Sequence, residues 1–127
     1  MKLIQMTDPL EYAQYIYDDE LFQFDSPAGT PILFHIIDID GEEVGYVATE
    51  DFTVVAGPHL YVKPEYRTKE YIIKIDWIFR YVYKPLMKAL GHQFLITNCD
   101  QDDHGTIRFL TKAGFEMKKV MVAEMKL

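Results

Sequence analysis

A single cysteine, Cys99, stands in a chain of 127 residues, so no disulfide can form within it and a reducing compartment is expected. Basic side chains are scarce. The 13 lysines and arginines face 20 acids, and the net charge of −7 argues against a nucleic acid or an anionic membrane as partner. No apolar run approaches the roughly 20 residues that a membrane-spanning helix needs. Met1–Asp8 lacks a basic segment followed by a long apolar run, so no secretory leader is expected there. Repeats, linkers and low-complexity tracts are absent as well. What is left is one domain, residues 1–127, expected in the cytoplasm. Its 49% apolar and 14% aromatic content is enough for a core without staples.

The chain is organised around His59–Leu90. His59-Leu60-Tyr61-Val62 has the β-branched and aromatic character of a buried strand. Pro64 ends it, because proline offers no N–H to a ladder. Thr68 is placed to cap a helix running from Lys69 to Leu90. Apolar residues recur there at helical spacing: Ile72, Ile75, Phe79, Val82, Leu86 and Leu90. A second stripe, Ile73, Trp77 and Tyr81, runs beside the first, which predicts a helix buried on two sides or a surface for a partner. Pro85 predicts a kink near its end.

Upstream, Met1–Met6 reads as a strand. Thr7 or Asp8 with Pro9 reads as the start of a helix carrying Leu10, Ala13, Tyr17 and Leu21. Ser26–Gly29 is a turn. Pro31–Ile39 and Glu43–Thr49 flank Asp40-Gly41, a strong hairpin signal. His35 lies within the first of these strands and reads as a packed or surface residue. Asp51–Ala56 is a further strand or an extended approach to Gly57-Pro58. Downstream, Gly91 stops the helix and Gln93–Thr97 reads as a core strand. Asn98–Gly105 is an acidic loop in which Asp103 caps the next helix. Its acids are adjacent rather than convergent, so no metal is expected there. Glu116–Leu127 alternates like one strand or two very short ones.

Leu60-Tyr61-Val62-Lys63-Pro64-Glu65-Tyr66-Arg67 resembles the strand-to-loop segment of the GCN5-related N-acetyltransferases, the GNAT superfamily. Ile107–Phe115, ending in Gly114-Phe115, resembles that family's second signature, in the expected order. The resemblance implies an α+β fold with a mixed, mostly antiparallel central sheet flanked by helices, here shortened at the C-terminus. It implies that backbone groups near Tyr61 and Val62 meet the pantetheine of acetyl-CoA. Arg67, Thr68 and Lys69 would meet its phosphates, and His59 stands near the place of the group that deprotonates the amine.

The departures from the pattern concern chemistry. Family enzymes place small residues where this chain has Glu70 and Ile72, so that backbone N–H groups can close on a pyrophosphate at a helix N-terminus. A carboxylate at position 70 would repel it. Leu110 stands where many members have the tyrosine that protonates the departing thiolate. Two readings follow. The first is a GNAT-fold protein with a degenerate acetyl-CoA site and no cofactor, working by contact with a protein partner or a second copy through Ile73, Trp77 and Tyr81. The Ile107–Leu110 run resembles in particular the acetyltransferase-like head-assembly and internal-virion proteins of tailed phages, which implies virion association. The second is an acetyl-CoA-dependent N-acetyltransferase acting on a basic amine.

Overall fold

The computed structural model describes residues 1–6, 32–118 and 123–126. The helix expected after Thr7 or Asp8 and the Ser26–Gly29 turn lie outside the described residues. Five strands form one sheet in chain order: β1 (Lys2–Gln5), β2 (Ile32–Ile37), β3 (Glu43–Phe52), β4 (Val55–Val62) and β5 (Phe94–Leu95). The first three pairings are antiparallel and the last is parallel. This is the mixed, mostly antiparallel sheet that the resemblance implied.

Local chemistry sets the β2–β3 hairpin. Gly41 takes a φ of +87° in the turn, which glycine adopts without steric penalty. Its N–H donates to the Asp38 carbonyl at 3.0 Å. The register slips by one between Ile36 and Ile37, leaving Val44 as an extra residue that turns into the core. Beside it, Gly45 lets β3 approach β4 closely, since a Cβ there would lie 2.1 Å from the Tyr61 carbonyl oxygen.

β3 runs three residues beyond its expected end. The stretch 51–56 is therefore not one strand but the tight turn between β3 and β4, with Thr53 at a φ of +71°. β4 accordingly begins at Val55 rather than His59, and Gly57-Pro58 lies inside it. The parallel pairing with β5 covers only Val55 with Phe94 and Ala56 with Leu95, closed by the Ile96 N–H on the Ala56 carbonyl at 3.0 Å. The next bond of a parallel ladder would run from residue 58 to the Ile96 carbonyl. Pro58 has no hydrogen to give, so the two strands part there. The expected core strand Gln93–Thr97 is thus only two residues long.

The expected helix Lys69–Leu90 is three segments: α1 (Lys69–Ile78), a π-helical turn (Phe79–Tyr83) and α2 (Lys84–Ala89). The Lys84 N–H reaches back five residues to the Phe79 carbonyl, just before Pro85, which cannot donate. The wider turn takes in one extra residue and shifts the buried face. Val82 and Leu86 were expected to face inward, but Tyr83 and Met87 do so, each 1% exposed. Ile75, Phe79, Tyr83 and Met87 pack on Phe34, Ile36, Val47 and Ala56 of the sheet. Tyr83 donates to or accepts from Thr49 at 2.6 Å across this core. The opposite face of the sheet buries Met6, Leu33, Tyr46 and Ala48.

Helix α3 (His104–Lys112) starts where Asp103 accepts from the Thr106 N–H at 3.0 Å. Arg80 of the π turn donates to the Lys112 carbonyl and ties α3 to the long helix. Among the described residues of the C-terminal stretch, 116–118 and 123–126 form neither helix nor strand, and the remainder of the expected strand lies outside them. No described helix is long and apolar enough to cross a membrane.

Candidate functional site

The parting of β4 from β5 opens a cleft of about 360 Å³ on the sheet face away from α1. Directly paired residues of neighbouring strands share a face. Phe52, Val55 and Phe94 therefore form one row across the three strands, and Glu50 and Gly57 begin the next, beside Ile96. Gly57 has no side chain, so the middle of that row is the floor of the cleft. Phe52 and Ile96 flank it, 40% and 58% exposed. Thr97 and Asn98 close the β5 side.

His59 stands at this fork, and the pairing of the β3–β4 hairpin brings it a partner. Its Nε2 lies 2.8 Å from Oε1 of Glu50, whose side chain is largely shielded from solvent. A carboxylate accepting from Nε2–H fixes the imidazole tautomer and the ring orientation. The second carboxylate oxygen, Oε2, is not committed to that bond.

The coenzyme residues expected at the other end of β4 are gathered around the start of α1. Tyr61 stacks at a tilt on Tyr46, with centroids 5.1 Å apart. Val62 is buried, and its carbonyl accepts from Nε of Arg67 at 2.8 Å. The Arg67 guanidinium lies over the Tyr61 ring, 5.5 Å from its centroid. Thr68 caps the helix, accepting from the Tyr71 N–H at 3.3 Å, while the Ile72 N–H donates to the Thr68 carbonyl at 2.9 Å. Lys69 and Glu70 are exposed, and Glu70 leans along the helix toward Lys74 at 3.5 Å. Its charge stays in the first turn, where it complements the helix dipole in place of an external anion. Tyr71 donates to Asp38 at 2.6 Å. That bond holds the Asp38 carboxyl below its usual range and pushes the Tyr71 hydroxyl up to about 12. Within the first turn, the Tyr71 N–H is thus capped by Thr68.

Ile73, Trp77 and Tyr81 lie on the outer face of the long helix, on the other side of the sheet from the cleft. They are 60%, 56% and 63% exposed, so this second stripe is not buried against the described residues. The Trp77 and Tyr81 rings lie 5.3 Å apart. Leu110 is buried and contributes packing. Among the described residues no three His, Cys, Asp or Glu side chains converge as a metal ion requires. In the acidic loop, Asp100 accepts from the Asp102 N–H at 2.9 Å, so its charge serves the backbone turn. His35 pairs with Glu43 at 2.9 Å, and the buried His92 pairs with Asp51 at 3.0 Å.

Sequence reasoning missed Glu50, Gly57 and Ile96. Glu50 carried a usable signal. It ends the alternation Tyr46, Ala48, Glu50, and a tight turn at Thr53-Val54 puts it beside His59.

Neither the family models nor the curated proteins give a sequence match. Solved structures do match over the whole chain. One is a ribosomal-protein-alanine N-acetyltransferase from Brucella melitensis biovar Abortus 2308, with a TM-score of 0.62 and 16% identity, covering 99% of this chain and 100% of that one. Another is the aminoglycoside 6'-N-acetyltransferase AAC(6')-IG from Acinetobacter haemolyticus, with a TM-score of 0.62 and 12% identity, covering 100% and 99%. A third is the aminoglycoside N-acetyltransferase AAC(6')-Iy in complex with CoA, at 0.59 and 17%, covering 99% of each chain. At these identities the likeness is one of fold, and the fold is that of the GNAT acetyltransferases.

Proposed function

We propose that this chain uses the GNAT fold as a binding and assembly module and has given up acetyl-CoA-dependent transfer. The observation that carries this reading is the start of α1. The Tyr71 N–H is taken by Thr68, Nε of Arg67 by Val62, and Glu70 adds a negative charge to the first turn. Two of the donors near a pyrophosphate's place are engaged within the chain, and the charge of Glu70 opposes its approach. Leu110 adds support, since it has no proton for a leaving thiolate. On this reading the partner is a protein or a second copy, met through Ile73, Trp77 and Tyr81. The setting is a cytoplasm or, for a phage-encoded chain, a virion. The test is release of free thiol from acetyl-CoA over a panel of amine acceptors. The reading predicts no release above the rate without protein, and catalytic turnover with any acceptor would overturn it.

The Glu50–His59 pair favours a second reading, acetyl transfer to an amine. An imidazole oriented by a carboxylate in a cleft is suited to take a proton from an ammonium. That is the part of such a reaction that this chain's own side chains could perform.

A further inference from the structure

The long helix is basic in an acidic chain. Lys69–Ala89 holds five of the 13 basic residues and two of the 20 acids, a segment of +3 in a chain of −7. Helix α3, tied beside it by the Arg80 side chain, adds exposed Arg108 and Lys112 and no acid. Along this basic layer Ile73, Trp77 and Tyr81 form an exposed ridge, one residue per turn. Lys74 and Arg80 stand three residues before and after Trp77, so they flank it on opposite sides. Each meets an acid four residues upstream, Glu70 at 3.5 Å and Asp76 at 3.1 Å. Both pairs are partly exposed to water, where such pairs hold weakly and can be exchanged for others. Lys84 and Lys88 are exposed and form no ion pair among the described residues. From Ile73 to Tyr81 the ridge runs for roughly 12 Å. A straight apolar ridge with charge of one sign beside it is one half of a two-helix contact. Its complement is a helix with an apolar stripe and acids on the flanks of that stripe. A second copy, laid face to face, would bring the same basic flanks and repel.

We propose that the outer face of Lys69–Ala89 docks an acid-flanked amphipathic helix of another protein. Ile73, Trp77 and Tyr81 pack on its apolar stripe, and Lys84 and Lys88 meet its acids. This rests on the contact reading and narrows the partner from any protein or a second copy to a protein of that chemistry. The aromatic pair supplies the anchors, since tryptophan and tyrosine carry much of the energy of such contacts. The charges select the partner. A nucleic acid or an anionic membrane would also meet lysines here, but it would face the repulsion of a chain of −7.

The test uses Trp77, the single tryptophan, as the reporter in the full chain. The probes are three tryptophan-free synthetic peptides of about 21 residues, which as helices span roughly 30 Å and cover the ridge. The first has leucine at the a and d positions of its heptads and glutamate at e and g. The second replaces those glutamates by lysine, and the third replaces the leucines by alanine. A blue shift of Trp77 emission with a submillimolar dissociation constant is expected for the first peptide. Binding of the other two should be at least about tenfold weaker. Tyr81→Ala should weaken the first about fivefold or more. Lys84→Glu with Lys88→Glu should weaken it at least about tenfold and turn the preference toward the lysine peptide. All three positions are exposed, so the fold should be kept, which circular dichroism checks. No emission change up to millimolar first peptide, equal binding of the glutamate and lysine peptides, or binding unchanged by both sets of substitutions would overturn the proposal. So would tighter binding of a single-stranded oligonucleotide or of vesicles containing phosphatidylserine. Sedimentation of the chain alone separates this proposal from the contact reading. A micromolar dimer that Trp77→Ala abolishes would give the face to a second copy, overturning the acidic partner while the contact reading stands. Turnover of acetyl-CoA with an amine would instead sink the contact reading and leave a peptide affinity measured at the ridge standing.

Discussion

The bond between Thr49 and Tyr83 is the most direct probe of why the long helix carries a π turn. Both side chains are inside the core, 0% and 1% exposed, with their oxygens 2.6 Å apart. Burial pushes the Tyr83 hydroxyl well above its usual pKa, so it stays neutral and serves only as a hydrogen-bonding group. The ring stacks on Phe79 at 5.2 Å and meets Phe34 edge-on at 6.3 Å. Tyr83→Phe keeps both ring contacts and strands the Thr49 hydroxyl in an apolar core. Leaving one such group unsatisfied costs about 1–3 kcal/mol. For 127 residues, about 2 kcal/mol corresponds to a fall in Tm of roughly 7 °C. Thr49→Val strands the tyrosine oxygen instead, with a similar loss. The double variant removes both polar groups, and its total should stay within about 1 kcal/mol of either single loss, far short of additive. Urea unfolding of the four proteins gives the cycle. Additive losses, or a neutral Tyr83→Phe, would refute the claim that this bond helps to hold Tyr83 rather than Val82 in the core.

Three further outcomes are expected. Gly45→Ala drives a methyl to 2.1 Å from the Tyr61 carbonyl oxygen, so β3 and β4 must separate, and a loss of about 4 kcal/mol or a failure to fold is expected in denaturant titrations. The Asp38–Tyr71 bond has two pH limits. Asp38 titrates below its usual 3.8, so its contribution is complete above that pH and drains away as pH falls through the lowered value. Tyr71, raised from 10 to about 12, contributes fully below pH 10 and loses its contribution as pH rises toward 12. Tyr71→Phe should flatten both limits in a map of Tm against pH. Finally, Trp77 is the single tryptophan and is 56% exposed, so its fluorescence should be quenched readily by acrylamide in the isolated chain. A shielded Trp77 would mean that the proposed contact face is covered.

The parts of the fold that were legible in the sequence are those set by neighbours along the chain. Asp40-Gly41 gave the hairpin, and Thr68 and Asp103 gave two helix starts, because turns and caps depend on a few adjacent residues. The helix was legible but its inward face was not. An α-helical period extrapolated past Phe79 selects Val82 and Leu86, and the π turn before Pro85 moves the core to Tyr83 and Met87. The fork was illegible for the opposite reason. Pro58 reads locally as the end of a strand, yet its missing N–H matters only on the edge facing β5, and β4 runs through it toward β3. The site divides in the same way. Arg67, Thr68 and Lys69 were nominated from a contiguous motif, whereas Glu50 reaches His59 only through the pairing of two strands.

The measurement that bears most directly on the central claim is a calorimetric titration of the purified chain with acetyl-CoA. A helix start capped by Thr68 with Glu70 in its first turn predicts no binding heat up to millimolar ligand, which corresponds to less than about 4 kcal/mol of affinity. A micromolar dissociation constant would contradict the account, because it would mean that the Thr68 cap and the Glu70 charge do not keep a pyrophosphate out.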